Sequence, residues 1–267
     1  MKTESDQIRE NVQERYGKIA ELNAPESSCC APSCCGGGTN EFGQLASTRL
    51  GYSEAELAGL PEGADLGLGC GNPQAIASLK PGETVLDLGS GAGIDCFLAA
   101  RQVGAEGRVI GVDMTPSMII KARKNALQAG MPQVEFRLGE IEHLPLSDAS
   151  VDVVISNCVV NLSPEKEQVF REAYRVLRPG GRLAISDVVA STEIPESMKQ
   201  DADLLAACVS GASTVDALER MLVAVGFEEI RIRPKAESRE FIRDWAPGGK
   251  VEDLILSATI QAVKRAG

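Results

Sequence analysis

One short segment limits this chain to few folds: a strand that runs into three closely spaced glycines and then into a helix. In Val85-Leu86-Asp87-Leu88-Gly89-Ser90-Gly91-Ala92-Gly93-Ile94 the apolar run predicts a buried strand. The glycines let the backbone turn sharply and approach a ligand closely, and the helix that follows begins with free N–H groups. From this point strands and helices alternate. Strands are predicted at 84–88, 108–112, 134–138, 151–156 and 182–188, with helices near 94–103, 116–129 and 164–177. Such alternation means βαβ units and a mostly parallel sheet. Helical stretches at about 195–208 and 214–225 follow, then strands at 226–232 and 256–263, the last expected to close the sheet in the antiparallel sense. The fold class is α/β, Rossmann-like and doubly wound.

Ahead of the glycine loop the pattern differs. Residues 4–22 place Ile8, Val12, Tyr16 and Ile19 on one face of an amphipathic helix. Residues 23–44 are rich in Ser, Pro, Gly and Cys without periodicity, which predicts a mobile loop. Ser53-Glu54-Ala55-Glu56 is a capping box opening a short helix. A second glycine-rich stretch, 63–73, carries Cys70. Three segments are expected: an N-terminal extension over 1–72, a cofactor-binding unit over 73–190, and a segment over 191–267 that inserts Cys208 and closes the sheet.

Composition excludes several functions. The net charge of −11 argues against nucleic acid as a partner, because a grip on phosphates needs clustered Lys and Arg. The first residues lack an apolar signal region, and no apolar run reaches membrane-spanning length. The chain therefore reads as cytoplasmic and not membrane-bound. A single histidine, His143, removes schemes that need an imidazole base or ligand set, and its Glu-His-Leu-Pro context predicts a surface turn. Eight cysteines in a reducing compartment point to metal binding or catalysis rather than disulfides.

The glycines are spaced G-x-G-x-G, not the G-x-G-x-x-G that closes on a dinucleotide pyrophosphate. Asp87, on the strand before the loop, would repel a diphosphate but suits the ammonium of an amino-acid moiety. Asp113 ends the second strand, where a carboxylate accepts ribose hydroxyls. Glu140 and Ile141 follow the third strand, placed to read an adenine edge. With Gly89, Gly91 and Gly93 these residues predict S-adenosylmethionine as cofactor.

Cysteines flank this signature. Cys158 follows the fourth strand, and ligands in open α/β sheets bind outside the carboxyl ends of the strands, so its thiol is expected to face the methyl donor. Cys70 precedes the first strand and Cys208 follows the fifth; both segments cap the same sheet edge, which lets the three thiols converge. The competing reading is that free cysteines are small buried hydrophobes, and Cys96, on the helix after the glycine loop, is expected to be one. Four more, Cys29, Cys30, Cys34 and Cys35, lie in the mobile tract.

Gly-Cys-Gly at 69–71, Asp-Leu-Gly-Ser-Gly-x-Gly-x-Asp-Cys at 87–96, Gly-Val-Asp-Met-Thr at 111–115, Ser-Asn-Cys-Val-Val-Asn-Leu at 156–162 and Cys-x-x-Gly-Ala at 208–212 together resemble the arsenite S-adenosylmethionine methyltransferases. The resemblance runs from about Asn11 to about Phe227. It implies a class I methyltransferase fold and detoxification of arsenic by methylation. It adds Met114 and Asn157 to the cofactor residues and makes Cys70, Cys158 and Cys208 the thiolates that hold trivalent arsenic, delivered as arsenite or its thiol conjugates. Cys30 or a neighbour in the tract is expected to capture arsenic first or donate electrons, with a thiol reductant, thioredoxin or glutathione, restoring it. The rival readings are a carbon or oxygen methyltransferase acting on a quinone-like metabolite, and a non-catalytic thiol metalloid-binding protein.

Overall fold

In the computed structural model residues 3–22, 47–195, 198, 204–205, 208–245 and 250–267 are described. The chain opens with helix α1 (Glu4–Leu22) and the short helices α2 (Glu54–Leu57) and α3 (Gln74–Ala77). The α/β core follows as β1 (Thr84–Leu88), α4 (Ile94–Val103), β2 (Arg108–Asp113), α5 (Pro116–Ala129), β3 (Val134–Leu138), β4 (Val151–Asn157), α6 (Lys166–Val176) and β5 (Leu177–Ala190). A two-residue strand β6 (Ser213–Thr214), helix α7 (Val215–Val225), β7 (Phe227–Pro234), the short helices α8 (Arg239–Ile242) and α9 (Val251–Leu254), and β8 (Ile255–Lys264) complete it.

The sheet runs in the order β3-β2-β1-β4-β5-β8-β7. Strands β1 to β5 pair in parallel, and β8 pairs antiparallel with both β5 and β7. This is the class I methyltransferase fold, with the antiparallel closure anticipated from residues 256–263. Strand order reverses between β1 and β4, and a crevice opens outside the carboxyl ends of the strands at such a reversal.

Alternation within the strands explains why both faces are covered. Leu86, Leu88, Ile110, Val112 and Ile185 point to a core shared with Val169, Phe170 and Val176 of α6 and Leu218 and Leu222 of α7. Val85, Val109, Val153, Ile155 and Ala184 point the other way, onto Phe97 and Ala100 of α4 and Ile119 of α5. Strands buried on both faces read as continuous apolar runs, which is why these segments are legible without clear alternation in the sequence.

Two features differ from the sequence reading, and a third lies largely outside the described residues. Helix α6 stops at Val176 because Leu177 already pairs with Val151; the register then slips across Pro179-Gly180-Gly181, and Arg182 pairs with Val153. Strand β5 is therefore longer than residues 182–188. Strand β6 lies parallel to β5 at Val189 and Ala190, a pairing with no periodic signal in the sequence. Of the helix expected over 195–208, Met198 and Leu204–Leu205 are helical; the remainder of it from 196 to 207 lies outside the described residues. The capping box is present: Ser53 N–H donates to Glu56 Oε2 at 2.7 Å, and Glu56 N–H donates to Ser53 Oγ at 3.2 Å. Among the described residues no helix is long and apolar enough to cross a membrane.

Helix α1 packs on α5 and buries Val12 and Ala20. Gln13 Nε2 donates to the Met114 carbonyl at 2.7 Å. Arg9 reaches Glu165 at 3.1 Å, Glu142 at 3.3 Å and Glu140 at 3.7 Å. The amphipathic face foreseen at Ile8, Val12, Tyr16 and Ile19 is thus turned onto the carboxyl edge of the sheet. Gly93 locks the other side of this edge. Its φ is +103°, and a Cβ there would stand 2.8 Å from both the Phe136 and Phe97 rings, which meet edge-to-face at 5.9 Å. Gly93→Ala is expected to destabilise the fold by about 2 kcal/mol through backbone strain and overpacking. A fall of several degrees in Tm checks this; an unchanged Tm contradicts it.

Candidate active site

A cavity of about 380 Å³ opens at the β1/β4 reversal. Asp87, Gly89 and Gly91 border it on one side, Asp113 and Ile141 on the next, and Asn157, Cys158 and Cys208 at the far end. Arg9, Val12 and Tyr16 of α1 form part of its wall, as does Trp245. One space therefore joins the glycine loop to Cys158 and Cys208; Cys70 does not line it.

At the glycine-loop end, Gly91 has φ +51° and a Cβ there would meet nothing within 4 Å, so the loop leaves room for a ligand. Ser90 borders the cavity as a residue, but its Oγ is buried against Gly111 of β2. Asp113 is held by N–H groups of Gly91 at 2.9 Å and Thr115 at 2.8 Å. Burial outweighs these bonds and raises its pKa, yet each carboxylate oxygen keeps a lone pair for a hydroxyl. A carboxylate and an unfilled backbone cradle fit an adenosyl sulfonium cofactor.

The cofactor residues named from sequence do not all meet here. Asp87, Gly89, Gly91, Asp113, Met114, Ile141 and Asn157 line the cavity; Gly93 and Glu140 do not. Gly93 faces the Phe97–Phe136 pair. Glu140 borders a neighbouring cavity beside α1 and approaches Arg9 and His143, each at 3.7 Å. His143 is exposed, as its turn context predicts. Cys96 is buried, as expected, but its thiol also donates to Asp87 Oδ2 at 3.3 Å.

At the far end Cys70, Cys158 and Cys208 are free thiols, all buried. Their placement rests on Asn157, the last residue of β4. Its Oδ1 accepts from the Cys70 N–H at 3.0 Å, and its Nδ2 donates to the Gly71 carbonyl at 2.7 Å and the Tyr52 hydroxyl at 2.9 Å. Ser257 Oγ of β8 donates to the Cys70 carbonyl at 2.6 Å. Cys158 and Cys208 both occupy the left-handed region, with φ +58° and +61°, a strained conformation that the surrounding structure must impose. The Cys208 thiol donates to the Cys158 carbonyl at 3.0 Å.

Electrostatics report the same proximity. Burial pushes the Cys70 thiol up to about 11, against a lowering hydrogen bond with Cys158. For Cys158, a hydrogen bond with Cys208 lowers the pKa, but the bond with Cys70 and burial drive it well above the ordinary thiol value. The bond with Cys158 and burial both raise Cys208. Cys158 is the neighbour of both other thiols, its sulfur within 4.8 Å of that of Cys70 and its carbonyl accepting from Cys208, and burial keeps all three protonated near neutral pH. The cysteines of the tract, Cys29, Cys30, Cys34 and Cys35, lie outside the described residues.

Two groups escaped the sequence reading. Tyr16 appears there only as a helix-face residue, yet it lines the cavity and interacts electrostatically with Cys208, Cys158 and Asp113. Asp187 is buried on β5, and its carboxylate lies within 4.8 Å of the Cys70 and Cys158 sulfurs. Its one sequence signal is an acid inside the apolar run Leu183-Ala184-Ile185-Ser186-Asp187-Val188-Val189.

Burial pushes Asp187 up to about 6 and Asp95 likewise to about 6, although Tyr52 donates to Asp95 at 3.0 Å. The folded protein then holds protons that the unfolded chain, with carboxylate pKa about 3.9, has released. These two groups add stability as pH falls from above 6 towards 4. Asp95→Asn, which has no charge to bury, is expected to reduce the gain in Tm between pH 7 and pH 5. Calorimetry across that range measures it, and an unaltered slope would count against the buried charge.

The geometry agrees with comparisons to known proteins. Residues 79–226 match the family described as "Methyltransferase domain". An arsenite methyltransferase of Halobacterium salinarum is 55% identical over 98% of this chain and 68% of its own length. That of Aquipseudomonas alcaligenes is 38% identical over 84% of this chain and 63% of its own, so the chain spans about two thirds of these relatives. A crystal structure of an arsenic (III) S-adenosylmethionine methyltransferase from Chlamydomonas reinhardtii superposes with a TM-score of 0.63 at 33% identity, covering 83% of this chain and 74% of that one. A cavity joining a methyl-donor loop to buried thiols, on this fold and with these relatives, identifies the chain as a member of the arsenite methyltransferase family of S-adenosylmethionine-dependent enzymes.

Proposed function

We propose that this chain methylates trivalent arsenic held by Cys70, Cys158 and Cys208. The observation that carries the reading is the single cavity whose walls include both Asp113 with Gly91 and Cys158 with Cys208. When bound, S-adenosylmethionine supplies an electrophilic methyl group on a positively charged sulfur. Asp113 accepts the ribose hydroxyls, the backbone at Gly91 takes polar atoms of the cofactor, and Asp87 offers a buried carboxylate to its amino-acid end. Met114 and Ile141 supply apolar wall, while Asn157 holds the Cys70 loop against the site.

Protonated thiols suit arsenite. Three S–H groups exchange for three arsenic-bound hydroxyls, and each thiol proton leaves on a hydroxyl as water. No external base is required, which accords with a site whose burial raises every thiol pKa. Thiolates outcompete oxygen donors for a soft centre, and three sulfurs leave arsenic one lone pair as nucleophile. Catalysis by this chain then consists of positioning and exclusion of water, to which Tyr16 and Trp245 contribute as wall residues. Methylation formally oxidises arsenic by two electrons. Thiol pairs return them by closing a disulfide, with Cys30 or a neighbour taking part and thioredoxin or glutathione reducing it afterwards.

Cys158→Ser is expected to reduce arsenite methylation to background while S-adenosylmethionine still binds; full activity, measured by speciation of arsenic products, removes Cys158 as a ligand. Asp113→Ala is expected to weaken cofactor binding by roughly 10- to 100-fold, the worth of hydrogen bonds to a charged acceptor. An unchanged titration would discard the ribose assignment. Replacing Cys29, Cys30, Cys34 and Cys35 together by serine, with α1 kept because it packs on α5 and walls the cavity, is expected to slow turnover and leave the fold intact; a rate equal to the unsubstituted chain means the tract has no part in it.

A further inference from the structure

The compact donor group at this sheet edge is not made of sulfur alone. Cys70 Sγ, Cys158 Sγ and a carboxylate oxygen of Asp187 all lie within 4.8 Å of one another, and all three residues are buried. Asp187 Oδ1 accepts from Asn161 Nδ2 at 2.9 Å and from the Val188 N–H at 2.8 Å. Oδ2 has one long bond, from the Asn161 N–H at 3.4 Å. The second oxygen therefore keeps lone pairs, and arsenic bound by three sulfurs gives it no work. An arsenic tri-thiolate is neutral and pyramidal, with a lone pair in its fourth direction. A d¹⁰ dication instead takes four donors in a tetrahedron, and thiolates and carboxylates are both ordinary ligands for it. Cys208, whose thiol donates to the Cys158 carbonyl at 3.0 Å, stands beside these donors but is not one of the three that lie mutually close, so the fourth position of the tetrahedron is left to solvent. Two thiolates and one carboxylate around a dication leave an excess of negative charge, and Lys166, which interacts electrostatically with Asp187, offsets part of it.

We infer that Cys70, Cys158 and Asp187 form a three-donor site for a thiophilic divalent cation of the Zn²⁺ type, with its fourth position open to solvent, whose occupancy excludes arsenite. Binding breaks two S–H bonds, forms two metal–sulfur bonds and one metal–oxygen bond, and passes two protons to the buffer; nothing is oxidised. The cation site stands on the donor distances. Its competition with arsenite rests on the function proposed above. A soft dication would then hold the enzyme in a resting state that arsenite must displace.

Cadmium is the probe, because its thiolate charge-transfer absorbance reports binding directly. The full chain, kept reduced, is titrated with Cd²⁺ with and without saturating arsenite, alongside Cys158→Ser and Asp187→Asn; S-adenosylmethionine binding certifies that each variant is folded. One equivalent of Cd²⁺ is expected to disappear both in the presence of arsenite and in Cys158→Ser. Asp187→Asn is expected to raise the Kd of that equivalent at least tenfold more than it raises the Kd for arsenite. Equal effects on the two ligands, or cadmium binding indifferent to arsenite in a chain that binds both, would overturn the inference. If Asp187→Asn does not fold, cadmium NMR of the unmodified chain decides instead, since mixed sulfur–oxygen coordination, which the inference requires, and all-sulfur coordination, which would overturn it, give different shifts. Cadmium bound at the Cys158-dependent site with no arsenite binding at all would sink the arsenic reading and leave the cation site standing.

Discussion

The carboxamide of Asn157 joins the two halves of this protein's chemistry. It stands at the end of β4, beside the reversal in strand order, and spends its oxygen and nitrogen on the Cys70 N–H, the Gly71 carbonyl and the Tyr52 hydroxyl. Through Tyr52 the same network reaches Asp95 on the helix after the glycine loop. The loop carrying Cys70, which precedes the first strand, is thereby fixed against Cys158, which follows the fourth. A hydrophobe at residue 157 would leave these polar groups buried without partners, at a cost of about 1–3 kcal/mol each. Close packing reinforces the clamp, because a Cβ on Gly69 would stand 2.7 Å from Asn157 Nδ2.

Burial then sets the character of the thiols. Low-pKa cysteines are made by nearby cations or helix N-termini; here burial among Val188, Val209 and Ile255 and the neighbouring carboxylate of Asp187 outweigh the lowering influence of Lys166 and Lys235, and every thiol is driven up. Such a site is a poor nucleophile towards ordinary electrophiles. On the proposed reading it remains a good host for arsenite, whose hydroxyls carry the thiol protons away as water. Selectivity for the substrate and protection of the cysteines follow from the same desolvation.

Most of the scaffold is legible in the sequence because both faces of the sheet are covered. The runs at 84–88, 108–113 and 151–157 are apolar enough to be strands under any packing, and the glycine loop fixes where a ligand approaches. Convergence of residues 70, 158 and 208 follows from the rule that open α/β sheets bind at their carboxyl edge, without knowledge of any side-chain contact. What stays hidden depends on tertiary pairing. The slip at Pro179-Gly180-Gly181 is imposed by β4, and β6 exists because β5 extends to Ala190. Tyr16 and Asp187 look respectively like a helix-face aromatic and a strand acid until α1 and the thiols are packed beside them. Gly93 shares the glycine signature with Gly91 and serves packing instead, as Gly89 also does where a Cβ would collide with the Val159 side chain, a distinction visible only once Phe97, Phe136 and Val159 are in place.

The central claim is that sulfur from three distant parts of the chain surrounds one arsenic atom. X-ray absorption at the arsenic edge, on the full chain loaded with one equivalent of arsenite, tests it most directly. The account predicts three sulfur neighbours and no oxygen, falling to two sulfurs when Cys70 is replaced by serine. An arsenic coordination that does not change on that replacement would contradict it.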